Sequence, residues 1–306
     1  MEQKNVRDMI RENIKAKKYF SDRAMPYFFM SMAFISVIVT FGIIYTLIFD
    51  SVKFFSQIPI KEIFSTDLNP LAQNPTFGFI PLITATLLVT LIAMLVAVPI
   101  GMAAAIHLSQ FATERKRRIL KPVLEVLAGI PTIVYGFFAY SFVTPLLAKL
   151  IPGLGAKNIL SPGIVMGIMI IPMVASLAED AMNAVPQLMK DGALGLGSTK
   201  LETTFKVIIP ASMSGIIAAI VLALSRAIGE TMIVTIASGS SKAFSLDITQ
   251  SMQTMTAYIV EFTSGDAGSG TIGYYSLFAV GLILFLFTLI INLIAQHMVR
   301  KYREVY

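Results

Sequence analysis

Between Pro26 and Phe49 the chain runs without a single charged residue. At about 1.5 Å of rise per residue, a helix of that length crosses the ~30 Å hydrocarbon core of a bilayer. In lipid, only a helix or a closed barrel satisfies its own backbone. Similar apolar runs follow, from Ile80 to Leu108, Pro122 to Leu147, Pro162 to Ala178, Pro210 to Ala237 and Tyr274 to Met298. Pro99-Ile100-Gly101 predicts a kink in the second run, and Gly129 and Pro131 interrupt the third. Glu179-Asp180 closes the fourth. Pro210 suits the first turn of the fifth, where its missing N–H has no partner anyway. The expected fold is all-α and polytopic, with six transmembrane helices in one domain over residues 25–306.

Composition supports this class. Only 14% of the residues are charged, against about a quarter in a soluble domain. Cysteine is absent and there are 2 histidines, which excludes disulfides, thiolate metal sites and a histidine-rich metal centre. The net charge of +6 is then read as positive cytoplasmic loops rather than as a nucleic-acid surface. Residues 1–24 are strongly basic, with Val6, Met9, Ile10 and Ile14 at helical spacing. They read as an interfacial helix or as a solvated tail. Of 24 Lys and Arg, 18 fall in the termini and in the loops around 109–121 and 179–209, and 5 fall in the segments between the other run ends, 50–78 and 238–273 included. Arg226 is the remaining one. The positive-inside rule places both termini in the cytoplasm of a multi-pass cell-membrane protein.

No phosphate-binding P-loop occurs. The glycine cluster Gly265-Asp266-Ala267-Gly268-Ser269-Gly270-Thr271 lacks the lysine such a loop needs. The chain is therefore expected to hydrolyse no nucleotide, to hold no cofactor and to carry no catalytic residue. Glu179, Asp180, Asp191 and Glu202 read as solvated loop charges. His107 reads as an interfacial polar residue, and Glu125 lies at the mouth of the third run.

Arg226 and Glu230 stand out because an ionisable side chain inside a membrane costs ~2.5–3.5 kcal/mol on insertion scales. Four residues apart on one continuous helix, they share a face. Two readings stand side by side. One is a self-neutralising pair that pins helices. The other is an anion site, in which the forked guanidinium meets oxyanion oxygens and Glu230 accepts the P–OH hydrogen of phosphate. Thr231 and Thr235 offer hydroxyls to such a site, or bond their own backbone.

The segment Asp191-Gly192-Ala193, followed by Gly197, Val207, Ile209 and Pro210, resembles the cytoplasmic loop of ATP-binding-cassette importer permeases. In that family the pattern is Glu-Ala-Ala, three residues, Gly, nine residues, Ile, one residue, Leu-Pro. Asp191 and Gly192 depart from it conservatively. In the family this segment is a short helix seated on the ATPase subunit, and Gly195 with Gly197 would supply its turn. Over most of its length the chain resembles the phosphate-uptake permeases. The likeness rests on Leu127-Ala128-Gly129-Ile130-Pro131-Thr132-Ile133-Val134-Tyr135-Gly136, on Arg226-Ala227-Ile228-Gly229-Glu230-Thr231-Met232 and on Val98-Pro99-Ile100-Gly101. Thr254-Met255-Thr256-Ala257-Tyr258-Ile259 and the 54–78 loop are similar to the PstC type. The resemblance implies the type I (MetI-like) importer fold. It also implies a PstA-like second permease, two copies of a PstB-like ATPase and an extracytoplasmic PstS-like phosphate-binding protein. A permease for another oxyanion (sulfate, molybdate or phosphonate) remains an alternative, and a secondary anion transporter is a more distant one.

Overall fold

The computed structural model describes residues 20–266, 268 and 270–301. The basic segment 1–24 therefore lies almost wholly outside the described residues. By its own contacts the chain falls into two compact units, residues 1–50 and 51–306.

The first unit is built on the greater part of helix α1 (Phe20–Phe55). Phe28, Phe34, Phe41 and Ile43 on it are exposed, as suits a surface whose solvent is hydrocarbon. Three of its hydroxyls bond the backbone. Ser31, Thr40 and Thr46 donate to the carbonyls of Phe28, Ser36 and Ile43, the local bond that makes such residues tolerable in lipid.

The second unit continues through a single-turn helix α2 (Ile60–Ile63) and a two-residue antiparallel ladder. In that ladder β1 (Leu68–Asn69) pairs Leu68 with Phe77 and Asn69 with Thr76 of β2 (Thr76–Phe77). Then come α3 (Ile80–Phe111, its last turn widened to π geometry), α4 (Glu114–Gly129), α5 (Thr132–Ala148), α6 (Leu160–Asn183) and α7 (Gln187–Gly195). The unit ends with α8 (Lys200–Ala211), α9 (Met213–Ile228), α10 (Met232–Ala237), α11 (Met255–Glu261) and α12 (Ile272–Lys301).

Among the described residues, four helices are long and apolar enough to cross a membrane alone, and the number reaches 6 if each of two bent pairs is one span. One pair is α4 with α5, bent by 86°. Ile130 and Pro131 are both extended there, at ψ 128 and 137. Proline has no N–H for the ladder and disfavours the helical region for the residue before it. The other pair is α8 with α9, bent by 71° at Ser212. Ser212 Oγ donates to the Ile208 carbonyl at 2.7 Å, which also accepts the Ser212 N–H, and lies 3.3 Å from the Ile209 carbonyl.

Three expected boundaries are corrected. The fourth span does not stop at Ala178. It runs to Asn183, with Glu179 and Asp180 inside the helix. The fifth does not begin at Pro210, which sits in the last turn of α8. Nor is the fifth continuous to Ala237, because it breaks at Gly229–Thr231. Residues 179–209 are not a loop but the end of α6, α7 and most of α8.

The centre of the second unit is the face shared by α3 and α6, where Ala85, Val89, Ala93 and Ala97 meet Val165, Met166, Met169, Ile170 and Val174. Glycine brings the two backbones together. A Cβ on Gly163 would stand 2.7 Å from Ile92, one on Gly167 2.7 Å from Val96 and 2.8 Å from the Ala93 carbonyl, and one on Gly101 2.8 Å from Val174. Small residues spaced by four are what membrane helices use to approach closely, since lipid offers no hydrophobic gain on association. Near the start of α3, an aromatic cluster of Phe54, Phe77, Phe79, Tyr258 and Phe262 seals the 51–79 and 254–262 segments onto α12.

This packing predicts an asymmetry among glycines. Gly167→Val would push into the Ala93 backbone and destabilise the bundle by about 1–3 kcal/mol or more. Gly42→Ala, where a Cβ meets nothing within 4 Å, is expected to be neutral. Thermal aggregation of the two variants in detergent checks both.

Candidate functional site

The first candidate surface is built at one end of the bundle. Met182, Val185 and Ile208 are buried with Ala105, Ala178 and Ile216, and this cluster seats α7 and α8 on the ends of α3, α6 and α9. On α7, Asp191 accepts from Gln187 Nε2 at 2.9 Å. Gly192 and Gly195 have open space where a Cβ would go. The helix ends in a Schellman turn: Ser198 N–H donates to the Ala193 carbonyl and Gly197 N–H to that of Leu194. Gly197 takes φ +90, the left-handed conformation this turn requires. Gly195 does not share that role, because it is the last helical residue with ordinary φ. Thr199 and Glu202 then form a reciprocal capping box that starts α8. The Thr199 backbone N–H and side chain hold the Glu202 carboxyl below its usual range. Leu188 and Leu196 stand 85% and 90% exposed on this rigid turn. Large apolar side chains presented this way mark a contact surface.

The second candidate lies along α9. Arg226 is exposed on its last turn, and no carboxylate ion pair to it is found among the described residues. Glu230 is buried at 9% exposure, but it does not share a helix face with Arg226. α9 ends at Ile228, Gly229 breaks the ladder, and Glu230 turns its carboxylate onto the next helix. Its Oε1 accepts from the backbone N–H of Met232 at 3.1 Å and of Ile233 at 3.4 Å. Glu230 thus caps α10, satisfying N–H groups that a helix start leaves open. Its carbonyl accepts from Thr256 Oγ1 at 2.8 Å, which ties the break to α11. Thr231 donates to the Gly229 carbonyl and Thr235 to that of Thr231. Pro210 lies one bend away from α9 and contributes nothing to this region.

A third constellation was not legible as a site. Glu179 is fully buried. Its Oε1 meets Arg117 Nη2 at 2.5 Å and Asn183 Nδ2 at 3.4 Å, and its Oε2 lies 3.2 Å from Lys121 Nζ. A cavity of about 380 Å³ runs from this cluster between α4, α6 and α9 to Arg226, past Glu125, Ser176 and Pro172. One signal in the sequence pointed to it. Ala175, Ala178 and Met182, all buried with Glu179, keep helical register through that position. The apolar face therefore does not end where the charges begin.

Residues 97–304 match the family model for the "Binding-protein-dependent transport system inner membrane component". The chain is 32% identical over 242 residues to the probable ABC transporter permease protein YqgH of Bacillus subtilis, covering 78% of each. It is 32% identical over 289 residues to the phosphate transport system permease protein PstC of Mesorhizobium japonicum, covering 88% of this chain and 87% of that one. In fold it matches a bacterial ABC transporter involved in the import of alginate, with a TM-score of 0.66 at 15% identity over 93% of this chain and 99% of the other. The MetNI methionine ABC transporter matches with a TM-score of 0.58 at 13% identity, covering 74% of this chain and 95% of the other.

The cap geometry makes Glu230 separable from Arg226. Glu230→Gln keeps a carbonyl oxygen for the Met232 and Ile233 N–H groups and should hold stability close to that of the unmodified chain. Glu230→Ala removes the cap and should cost about 0.5–2 kcal/mol. Thermal stability of the purified permease, measured for both variants, reads the difference.

Proposed function

The chain belongs to the family of binding-protein-dependent transport system inner membrane components, and from that membership we propose that it is the PstC-like permease of an ATP-driven importer of inorganic phosphate. Relatives named as phosphate permeases, 32% identical over 88% of the chain and 33% identical over 84%, support the substrate. One observation carries the chemistry: Arg226 borders a cavity of about 380 Å³ with its guanidinium free of a carboxylate partner among the described residues. A planar fork of donors in a low-dielectric cavity suits an oxyanion.

The roles divide as follows. Arg226 meets the anion. Glu230 and Thr231 act at one remove, because their groups hold the gap between α9 and α10 that leaves Arg226 exposed. Both termini and α7 face the cytoplasm, in keeping with the 18-to-5 split of Lys and Arg. The turn formed by Asp191, Gly192, Ala193, Gly195 and Gly197 seats on an ATPase subunit, with Leu188 and Leu196 supplying apolar contact. A PstA-like permease completes the pathway, two PstB-like ATPases drive it, and a PstS-like binding protein delivers phosphate against the 50–78 and 238–273 segments.

Phosphate uptake by the reconstituted complex tests the substrate. Import of sulfate or molybdate without phosphate would overturn it. In the same system Arg226→Lys is expected to lower uptake by about tenfold or more, because a point ammonium cannot reproduce the fork. Arg226→Met should abolish uptake in an assembled complex. Transport by Arg226→Met would remove Arg226 as the anion contact.

Coupling has its own test. Gly197→Leu forces a branched side chain to φ +90, at about 1–3 kcal/mol of local strain. It should leave the permease inserted but separate ATP hydrolysis from uptake. A normal ratio of phosphate moved to ATP hydrolysed in that variant would show that the turn does not transmit the stroke.

A further inference from the structure

Resting on the phosphate reading, we infer a second station for a protonated oxyanion at Lys121 and Glu179, about 13 Å from Arg226 along the same cavity. There Lys121 meets the anion's charge, and Glu179 Oε2 accepts its P–OH hydrogen.

The spacing follows from helix geometry. A Cβ on Gly215 would touch Ala181, so those two positions are level. From there α9 climbs about 16 Å to Arg226, while α6 climbs only about 3 Å back to Glu179. One small anion cannot touch both ends, but one cavity lines both. A second cavity of about 440 Å³, lined by Glu114, Arg117, Arg118, Lys121 and Glu125, shares Lys121 and Glu125 with the first. The Lys121 station therefore lies between the Arg226 end and a basic mouth.

The chemistry follows from the lone pairs that Glu179 has left and from the net positive charge of its cluster. Its Oε1 is engaged by Arg117 and Asn183. Its Oε2 is buried, with the Lys121 ammonium 3.2 Å away as its partner. Each carboxylate oxygen has lone pairs for a second donor. Arg117 already offsets the charge of Glu179, so the Lys121 ammonium has charge left for a ligand. Phosphate near neutral pH keeps at least one P–OH and fits both groups. Sulfate and a lipid phosphodiester keep none, so either would press an oxygen against a carboxylate oxygen with no proton between them.

The same contacts also tie α4 to α6, so the test must read something that a tie would not move. The chain has no cysteine. Ser176→Cys, about one turn of α6 from Glu179 on the cavity wall, is thus a unique reporter in a complex whose other subunits lack cysteine. Its modification by an anionic thiosulfonate is measured with added inorganic phosphate or sulfate. Phosphate should protect at a concentration at least about tenfold below that of sulfate, equivalent to about 1.4 kcal/mol. In Glu179→Gln, Arg117 retains the amide oxygen and turns the NH2 toward the cavity, so the phosphate-to-sulfate ratio should fall to about one. Lys121→Gln should weaken both anions and keep the ratio. Arg226→Met should leave protection in place while uptake is lost.

Equal protection by the two anions, or a ratio that survives Glu179→Gln, overturns the station while phosphate uptake by the unmodified complex still upholds the importer. A complex that imports no phosphate fails the importer reading instead. Should Glu179→Gln not assemble, Glu179→Asp decides, because it keeps the charge but withdraws the acceptor. The ratio should drop there too, and an unchanged ratio counts against the station.

Discussion

Hydrocarbon offers no partner for a backbone N–H or C=O, so in this chain every interruption of a helix must find its own replacement bonds. Among the described residues, several interruptions have an identifiable side-chain partner. Ser212 bonds the Ile208 carbonyl at the bend between α8 and α9. Tyr135 donates through its hydroxyl to the Leu127 carbonyl across the bend at Pro131. Glu230 takes up the first N–H groups of α10, and Thr256 its own carbonyl. The Leu127 carbonyl and Arg226 both belong to the region where α4 ends and the cavity begins. The places where the ladder is broken are also the places where the bundle opens, because a continuous helix would fill that volume with its own turns.

Close packing does the opposite work. Along α3 and α6, glycines and alanines bring backbones within reach of each other's side chains. The arrangement is a rigid pair flanked by bent helices. α4 and α9, the two that line the cavity with α6, each run into a sharp bend at one end. A transport pathway needs both properties, a wall that stays fixed and elements that can change angle.

Much of this was legible in the sequence, for physical reasons that also explain the failures. Apolar length in lipid is unambiguous, so the spans were readable, and Pro131 announced the break in the third. Phase across a break was not readable. Spacing of four puts Arg226 and Glu230 on one face only while the helix continues, and Gly229 ends it. Composition also misled around 179–209, where charged residues suggested a loop. Burial there follows one face of amphipathic helices rather than mean polarity, which is why Glu179 is buried while Asp180 is exposed. Gly195 and Gly197 look equivalent as letters, and only the backbone angle tells the turn residue from the helical one.

The buried carboxylate also stands at a mechanical junction. Asn183 ends α6 and bonds both ways: it accepts from Ser109 of α3 at 2.9 Å and donates to Glu179 at 3.4 Å. Four residues on, α7 begins, carrying the exposed leucines of the turn. A displacement of α7 therefore acts on the last turn of α6 as well as on α8, which packs against it. What that turn holds is the Glu179 contact to Arg117 and Lys121 on α4. Separating the two helices there would strip a buried carboxylate of both cations at once, which costs several kcal/mol unless another cation or a proton donor replaces them.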